Sequence, residues 1–323
     1  MLARLGHRLL AGLAVVLGVV VLTFLLLHLA PGDPIDIMLG PTATAEQRTA
    51  QRHAMGLDNA LPAQFAAWLG RFARGDWGTS IAKGRPVRRI LGDAWPATVR
   101  LVALSLLLSY LIGLVVGAVQ AARGGTRTDT ALSIASVTLF AVPGYWLGLM
   151  LVLVFTYWAR MLPAFGAAGL DSDYLRGGAW LGDRLRHLAL PLATLTLVGI
   201  GGAARFVRGA MLDTLSQPFI TTARAKGLTP LRVVGRHALR NALTPLVTLL
   251  GMSLPALFSG AVFIEAVFAW PGVGRVLVEA VQARDYPVVM AATAVSAALV
   301  VAGNMLADVL AAWLDPRVRT RAT

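Results

Sequence analysis

Several uninterrupted apolar runs, each at least 18 residues long, constrain the fold of this chain more than any other feature of its sequence. A helix needs about 20 mostly apolar residues to cross the hydrocarbon core of a bilayer. Hydrophobic residues make up 57% of the sequence and charged residues 14%, whereas soluble domains are about a quarter charged. The sequence therefore predicts an all-α polytopic membrane protein.

Turn and cap signals divide the apolar sequence into six predicted transmembrane helices within a single transmembrane domain, 1–323. Their approximate bounds are 9–30, 96–120, 128–158, 187–211, 244–268 and 288–314. The first run is about twenty residues long, longer than the core of a cleavable signal peptide, so we expect it to be retained. Small residues in the fourth helix predict close helix packing: Gly199, Gly201, Gly202, Ala203 and Ala204.

Polar connections suggest an orientation for these helices. The segment 34–95 carries charges of both signs and is predicted to be an external subdomain of one or two helices, and 160–187 a second external loop. The total count of Lys and Arg residues does not distinguish the two sides. Basic residues crowded against helix ends do, and they place both termini in the cytoplasm. These residues are Arg4, Arg8, Arg123, Arg127, Arg205, Arg208 and Arg317.

The segment 212–243, between the fourth and fifth predicted helices, is polar but built like a folded unit. Ser216 is a candidate N-cap, and Pro218 suits the first turn of a helix, where its missing N–H costs nothing. This pattern predicts a short helix over 217–226. Gly227 suits the left-handed position just past a helix end.

A second cap-plus-proline pair follows at Thr229 and Pro230 and predicts another helix, to about Asn241. Five basic residues and no acid lie between Arg224 and Arg240. The segment is then either an ordinary basic cytoplasmic loop or a rigid lever that docks into a soluble partner.

The residues of this segment resemble a known motif. TARAKGL at 222–228, followed by RHALRNAL at 236–243, is similar to the EAA loop of ABC importer permeases, in its dipeptide, oligopeptide and nickel version. Ala223, Arg224 and Ala225 stand in the place of the Glu-Ala-Ala triplet. The family glutamate is absent, as is common in the peptide branch.

Further motifs of the same family occur in the right order, so the resemblance covers nearly the whole chain. They are PGDP at 31–34, GDWGTS at 75–80, FAWPGVGR at 268–275, RDYPVV at 284–289 and DPR at 315–317.

The resemblance implies a type I ABC importer permease fold with a cytoplasmic coupling loop, in a chain that resides in the bacterial inner membrane. It implies a permease subunit of an ATP-driven peptide importer, working with a second homologous permease, two ABC ATPase subunits and an external solute-binding protein. ATP and Mg²⁺ would be bound by the ATPase subunits, since this sequence has no phosphate-binding loop. The residues expected to contact an ATPase are Phe219, Thr222, Ala223, Arg224, Ala225, Lys226 and Gly227.

Polar groups at membrane depth are candidates for the translocation path, because they are costly there. Asn304 and Asp308 are four residues apart and share a face of the sixth predicted helix. They either hold neighbouring helices together or contact substrate, and Glu265 either reaches the interface or lines the path. Proline and glycine near the middle of the third helix predict a bend, which is tolerated where a neighbour or water satisfies the freed carbonyls. The candidate path residues are Pro143, Tyr145, Glu265, Asn304 and Asp308.

Three alternatives remain open. The cargo is nickel or a metal chelate in the first, and the chain is a stand-alone secondary transporter in the second, although paired broken helices are not evident. In the third it is an intramembrane enzyme, for which His28 lacks an evident partner. The sequence has no cysteine and no metal-ligand motif. Its net charge of +13 is assigned to an anionic lipid surface rather than to nucleic acid.

Overall fold

A computed structural model describes residues 2–29, 35, 39–40, 42–229, 232–240, 246, 249–251, 253 and 261–314. Its helices are α1 (Leu2–Leu29), α2 (Ala45–Ala54), α3 (Leu61–Ala73), α4 (Val87–Ala122), α5 (Arg127–Ala141), α6 (Gly144–Val152), α7 (Gly177–Leu215), α8 (Pro218–Ala225), α9 (Val262–Val267), α10 (Val273–Gln282) and α11 (Tyr286–Leu314). Two π-helical turns span Leu153–Trp158 and Val233–Ala238. Within these ranges the only β pairing is one isolated bridge, between Thr79 and Pro86.

Among the described residues, four helices are long and apolar enough to cross a membrane: residues 8–29 of α1, all of α4, all of α7 and residues 286–305 of α11. Helix α5 passes the same test together with residues 144–158, which are α6 and the π-helical turn after it, and this bent pair would make a fifth span. Most of the predicted helix 244–268 lies outside the described residues, so the six-helix count stays a prediction. The predicted turn 31–34 and tail 315–317 also lie outside them.

Helix α4 begins 9 residues before Pro96 and helix α7 begins 14 residues before Pro191, so both prolines, expected near the helix starts, lie in the helix interiors. In α4 the apolar residues before Pro96 repeat at helical spacing and are buried, so packing outweighs the local cost of the proline. The early start of α7 at Gly177 shortens the second predicted external loop.

The chain packs as two compact units, which the sequence does not reveal. The first unit comprises residues 1–98 and 271–302. The start of α4, α10 and the start of α11 share its buried core. Phe65, Trp68, Phe72 and Trp77 form a ladder of ring contacts that continues to Phe24 of α1. Nε2 of His28, near the end of α1, lies 3.3 Å from Oε1 of Gln64 in α3, so His28 has a structural partner.

The second unit comprises residues 99–270 and 303–323. The small residues of α7 give it two close neighbours, as predicted. A Cβ atom at Gly117 of α4 would lie 2.5 Å from the carbonyl oxygen of Ala204, and one at Gly201 would lie 2.5 Å from the carbonyl oxygen of Ser136 in α5. Side chains at these two glycines would therefore separate the helices.

Candidate functional site

The short helix predicted after the fourth span is present as α8. Pro218 occupies its first turn, and Gln217, rather than Ser216, is its N-cap residue. Ser216 instead ends α7, where its Oγ donates to the carbonyl oxygen of Asp213 at 2.8 Å. The predicted cap was wrong because α7 extends right up to Ser216.

The end of α8 depends on a glycine, as expected. Gly227 has a φ of +75°, which costs a residue with a side chain roughly 1 kcal/mol. The N–H of Gly227 donates to Arg224 at 2.9 Å, and that of Leu228 donates to Ala223 at 3.3 Å. This pattern of bonds closes the helix and turns the chain towards the next segment.

One face of α8 is buried within the chain itself. Ile220 and Ala223 pack with Val233, and Leu215 and Leu228 border this cluster. The sequence had assigned Ala223 to the small surface that enters a partner. Its exposed fraction is only 7%, and it faces the following segment instead. Of the two alanines in the motif, only Ala225 is exposed.

A neighbouring side of α8 is exposed to solvent and is called the free face. Phe219, Thr222 and Lys226 lie three and four residues apart, so they share one side of the helix. All three are exposed, and 45% of the surface of Phe219 is accessible. Arg224 and Ala225 are exposed beside them. This free face is apolar at one end and cationic at the other.

The segment after α8 braces it against α7. The N–H of Val233 donates to the carbonyl of Thr229 at 3.0 Å, and a π-helical turn follows. Ala238, at the end of that turn, is fully buried with Val207 and Met211 of α7. Helix α8 is therefore tied to the last turns of α7 by the chain on both sides of it.

The predicted bend in the third span is a break of 101° between α5 and α6. Pro143 is the N-cap residue of α6. Glycines let α9 approach α6 closely, because a Cβ at Gly148 would lie 3.0 Å from the ring of Phe268. Tyr145 and Phe263 have ring centroids 6.5 Å apart, and both rings are at least half exposed.

Glu265 lies in α9, next to this aromatic pair, and is completely buried. It does not reach a surface as the interfacial interpretation required. The turn after α9 is fixed by its backbone. The N–H of Trp270 donates to the carbonyl of Glu265 at 2.8 Å, with Ala269 at a φ of +48°. The structure thus brings Pro143, Tyr145 and Glu265 into one pair of packed helices.

The other two path candidates lie on α11. Asn304 is exposed, and no hydrogen bond among the described residues joins it to the pair of α6 and α9. Asp308 lies within α11, but its side chain falls outside the description. The proposed interhelical bonding of these two residues therefore stays a prediction.

The sequence analysis did not predict the ion pair that joins α5 and α7. Arg208 donates from Nε and from its terminal nitrogen to the two carboxylate oxygens of Asp129, at 2.8 and 2.9 Å. The same carboxylate accepts from the N–H of Gly125 at 3.1 Å and from Ser133 at 3.2 Å. The sequence had treated Arg208 only as a positive charge at an inner helix end. A carboxylate at 129 and a guanidinium at 208 carry no local signal that they meet.

A second buried carboxylate, Asp285, joins two motifs that the sequence had identified separately. It accepts from the hydroxyl of Ser80, and from the N–H groups of Ile81 and Ala82 at 3.1 and 3.2 Å. Both Ser80 and Asp285 are only 2% exposed. The end of GDWGTS is thus fastened to the start of RDYPVV in the first unit.

Two basic side chains contact Glu279, which also lies in the first unit. Lys83 donates to Glu279 at 2.9 Å, and Arg275 donates to it at 2.7 Å. Partial burial by itself would raise the pKa of Glu279. The hydrogen bonds and positive charges of Lys83 and Arg275 together outweigh burial and lower that pKa below its ordinary value of 4.5.

In the ranges that the structure describes, no three His, Cys, Asp or Glu side chains are grouped as ligands for a metal ion.

Two family models match the chain. "Binding-protein-dependent transport system inner membrane component" matches residues 87–320, and "Binding-prot-dependent transport system membrane comp, N-term" matches residues 1–102. Together these models cover nearly the entire sequence.

Curated relatives match over almost their full lengths. The chain is 37% identical over 319 residues to the oligopeptide transport system permease protein AppB of Bacillus subtilis, covering 98% of this chain and 99% of AppB. It is 39% identical over 318 residues to the probable D,D-dipeptide transport system permease protein DdpB of Escherichia coli, covering 94% of each. It is 35% identical over 334 residues to the di/tripeptide transport system permease protein DppB of Pseudomonas aeruginosa, covering 99% of each.

A solved structure shares the fold. A chain of the MetNI methionine ABC transporter, in an inward-facing conformation, superposes with a TM-score of 0.52 at 19% identity. The match covers 71% of this chain and 98% of that one.

Proposed function

The chain belongs to the family of binding-protein-dependent transport system inner membrane components, and we propose that it is the permease subunit of an ATP-driven importer that carries peptides across the bacterial inner membrane. Peptide transport is named for relatives that are 35–39% identical over nearly the whole chain, which supports this cargo over nickel. As a permease, the chain is not itself the ATPase. ATP hydrolysis belongs to partner subunits.

The complex contains ATPase subunits and an external solute-binding protein, as the family description implies. We further assign to it a second homologous permease and a pair of ATPases. The translocation path then lies between two permeases, and each permease presents one coupling helix to one ATPase.

The observation that carries the proposal is the two-sided character of α8. Ile220 and Ala223 anchor one side of the helix, while Phe219, Thr222 and Lys226, on the side next to it, stay exposed. Because one side of this short helix is packed against its own chain and another side is exposed, a partner that binds the exposed side can move the helix as a rigid body. Coupling through it is a shift in population between two packings of the spans, driven by movement of the ATPases.

The candidate path is the pair of α6 and α9 with the break at Pro143. The half-exposed rings of Tyr145 and Phe263 supply apolar contacts for a solute. Glu265 is buried on the helix that also carries Phe263. Asn304 and Asp308 are assigned to helix packing or to the same path from α11.

The proposed orientation of the chain is six spans with both termini in the cytoplasm. It predicts that 212–243 faces the ATPases and that 34–95 faces the binding protein. Single cysteines at Thr79 and Thr229, two exposed positions, test this directly, because the chain contains no cysteine of its own. A membrane-impermeant thiol reagent should label only position 79 in spheroplasts. Labelling of position 229 from outside would contradict the orientation.

The coupling role is tested by the same substitution on the two faces of α8. Ala225→Glu places a charge on the free face, so it should leave the complex assembled but abolish stimulation of ATPase activity by loaded binding protein. Ala223→Glu buries a carboxylate in the cluster with Val233 and should reduce the yield of folded permease instead. Ala67→Glu, at an exposed position of α3, is the matched control and should change neither property.

The measurement is ATP hydrolysis by the reconstituted complex, with and without binding protein and peptide. Full stimulation of an assembled Ala225→Glu complex would show that α8 is not the coupling element, and the proposed function of this helix would fail.

A further inference from the structure

The pair Asp129–Arg208 is built with more hydrogen bonds than a charge at a helix end requires. The guanidinium binds both carboxylate oxygens in a forked geometry, at 2.8 and 2.9 Å. Asp129 is only 4% exposed, and its other contacts come from Gly125 and Ser133. Forked arginine–carboxylate pairs fix orientation as well as charge. This pair therefore sets the position of α5 relative to α7.

The same two helices are in direct backbone contact further along. A Cβ at Gly201 would lie 2.5 Å from the carbonyl oxygen of Ser136 and 2.8 Å from the backbone nitrogen of Phe140. The guanidinium of Arg205 lies 5.3 Å from the centre of the Phe140 ring. The contact thus extends from Asp129 almost to the end of α5, and the ion pair is its attachment at the end nearer α8.

Each end of this helix pair leads to an element with a proposed role. Val207 and Met211 of α7 pack with Ala238 of the brace behind α8. At the far end, α5 stops at Ala141, immediately before the 101° break at Pro143. The chain between the coupling helix and the candidate path is thus a continuous packed body.

We propose that Asp129 and Arg208 are positioning residues for coupling: their ion pair makes α5 move with α7, so that displacement of α8 is delivered to the break at Pro143. This inference rests on the proposed coupling role of α8. Without the ion pair, α7 can follow the ATPase while α5 lags, and ATP is hydrolysed without opening the path.

The readout is the number of ATP molecules hydrolysed per peptide transported. If the ion pair only stabilises the fold, its loss lowers the amount of folded complex. ATPase activity and peptide uptake then fall in proportion, and this ratio stays unchanged. A coupling role raises the ratio. For Arg208→Met we expect binding-protein-stimulated ATPase activity to persist while the ratio rises about tenfold, the size of a typical coupling between sites. Arg208→Lys keeps the charge and should restore the ratio in part.

Removing one partner leaves a lone buried charge and endangers folding. The double variant Asp129→Asn/Arg208→Met removes both charges and provides a second test with the same expected rise. Arg127→Met is the matched control. It removes one positive charge from an exposed position two residues from Asp129, so it should keep the wild-type ratio.

The outcomes separate the two proposals. If the assembled double variant transports peptide with the wild-type ratio, while Ala225→Glu abolishes stimulation, the role of the ion pair is refuted and the coupling role of α8 stands. If Ala225→Glu has no effect, the coupling role of α8 is refuted, and the inference about the ion pair, which rests on that role, is refuted with it. A raised ratio for both Arg208→Met and the double variant, with a normal ratio for Arg127→Met, supports the inference.

Discussion

Asp285 in the first unit and Asp129 in the second are both almost completely buried carboxylates, yet their surroundings differ. Asp285 accepts from one hydroxyl and two backbone N–H groups of a single turn, all of them neutral. Asp129 is bound by a cation from another helix. The first arrangement fastens a turn to the start of α11, whereas the second ties two long helices together.

The difference indicates what each unit must do. Neutral donors that come from one turn hold that turn in a single geometry. An ion pair between helices keeps two separate elements in register, and a lost partner leaves an uncompensated charge. We therefore interpret the contact at Asp285 as part of a scaffold of fixed geometry, and the pair at Asp129 as part of the body that the proposed coupling moves.

The largest effect is expected at Asp129. Asp129→Ala leaves Arg208 without its carboxylate partner, and the folded permease should lose more stability than in the variants below, although about a third of the Arg208 side chain remains in contact with solvent. Unfolding of the purified permease in a dodecyl sulfate titration measures this loss. Asp129→Ala/Arg208→Met should recover part of it. A double variant no more stable than Asp129→Ala would contradict the view that the lone charge causes the loss.

A smaller effect is expected at Ser80. Ser80→Ala removes one of three donors to a buried carboxylate and should cost about 1–2 kcal/mol. Since the two backbone donors remain, the fastening should loosen without breaking. The same titration reports stability, and ATP hydrolysed per peptide should stay at its wild-type value. A raised number of ATP molecules per peptide in Ser80→Ala would contradict the proposed distinction between the scaffold and the moving body. Thr79→Ala, at the adjacent exposed position, is the control.

The smallest effect concerns pH. Because the folded state lowers the pKa of Glu279 below 4.5, its ionised form stabilises the fold above that pH. The stabilisation is lost as the pH falls through the lowered pKa. Glu279 is partly exposed, so solvent screening limits the gain to below about 1 kcal/mol. Melting temperatures of wild type and Glu279→Gln between pH 3 and 6 should converge at the acidic end. A constant difference across this range would exclude the ionised form as the source.

Much of the site was predictable because it depends on neighbours close in the chain. Pro218 and Gly227 mark the start and end of α8 through their own backbone restrictions, so the helix was predicted within one residue at its end. The break at Pro143 was likewise predicted in place, since proline removes a local hydrogen bond. Its angle was not, because that depends on how α5 packs on α7 and α6 on α9.

Burial within α8 could not be read from the motif. Ala223 and Ala225 are chemically identical and two residues apart, yet one is buried and the other exposed. Which side of a short helix faces inward depends on where Val233 and Leu228 return after the turn at Gly227. The sequence pattern alone assigned both alanines to the partner, and the structure corrects one of them.

The sequence by itself determined the membrane class, most of the span positions and the helix–glycine turn of the segment 212–243, because apolar length, caps and proline act over a few consecutive residues. Only the tertiary structure decided that Asp129 meets Arg208, 79 residues away, and that Ser80 meets Asp285, 205 residues away. Such pairs form when the packing of distant elements brings the two partners together. No local preference of either residue specifies which distant partner it will meet.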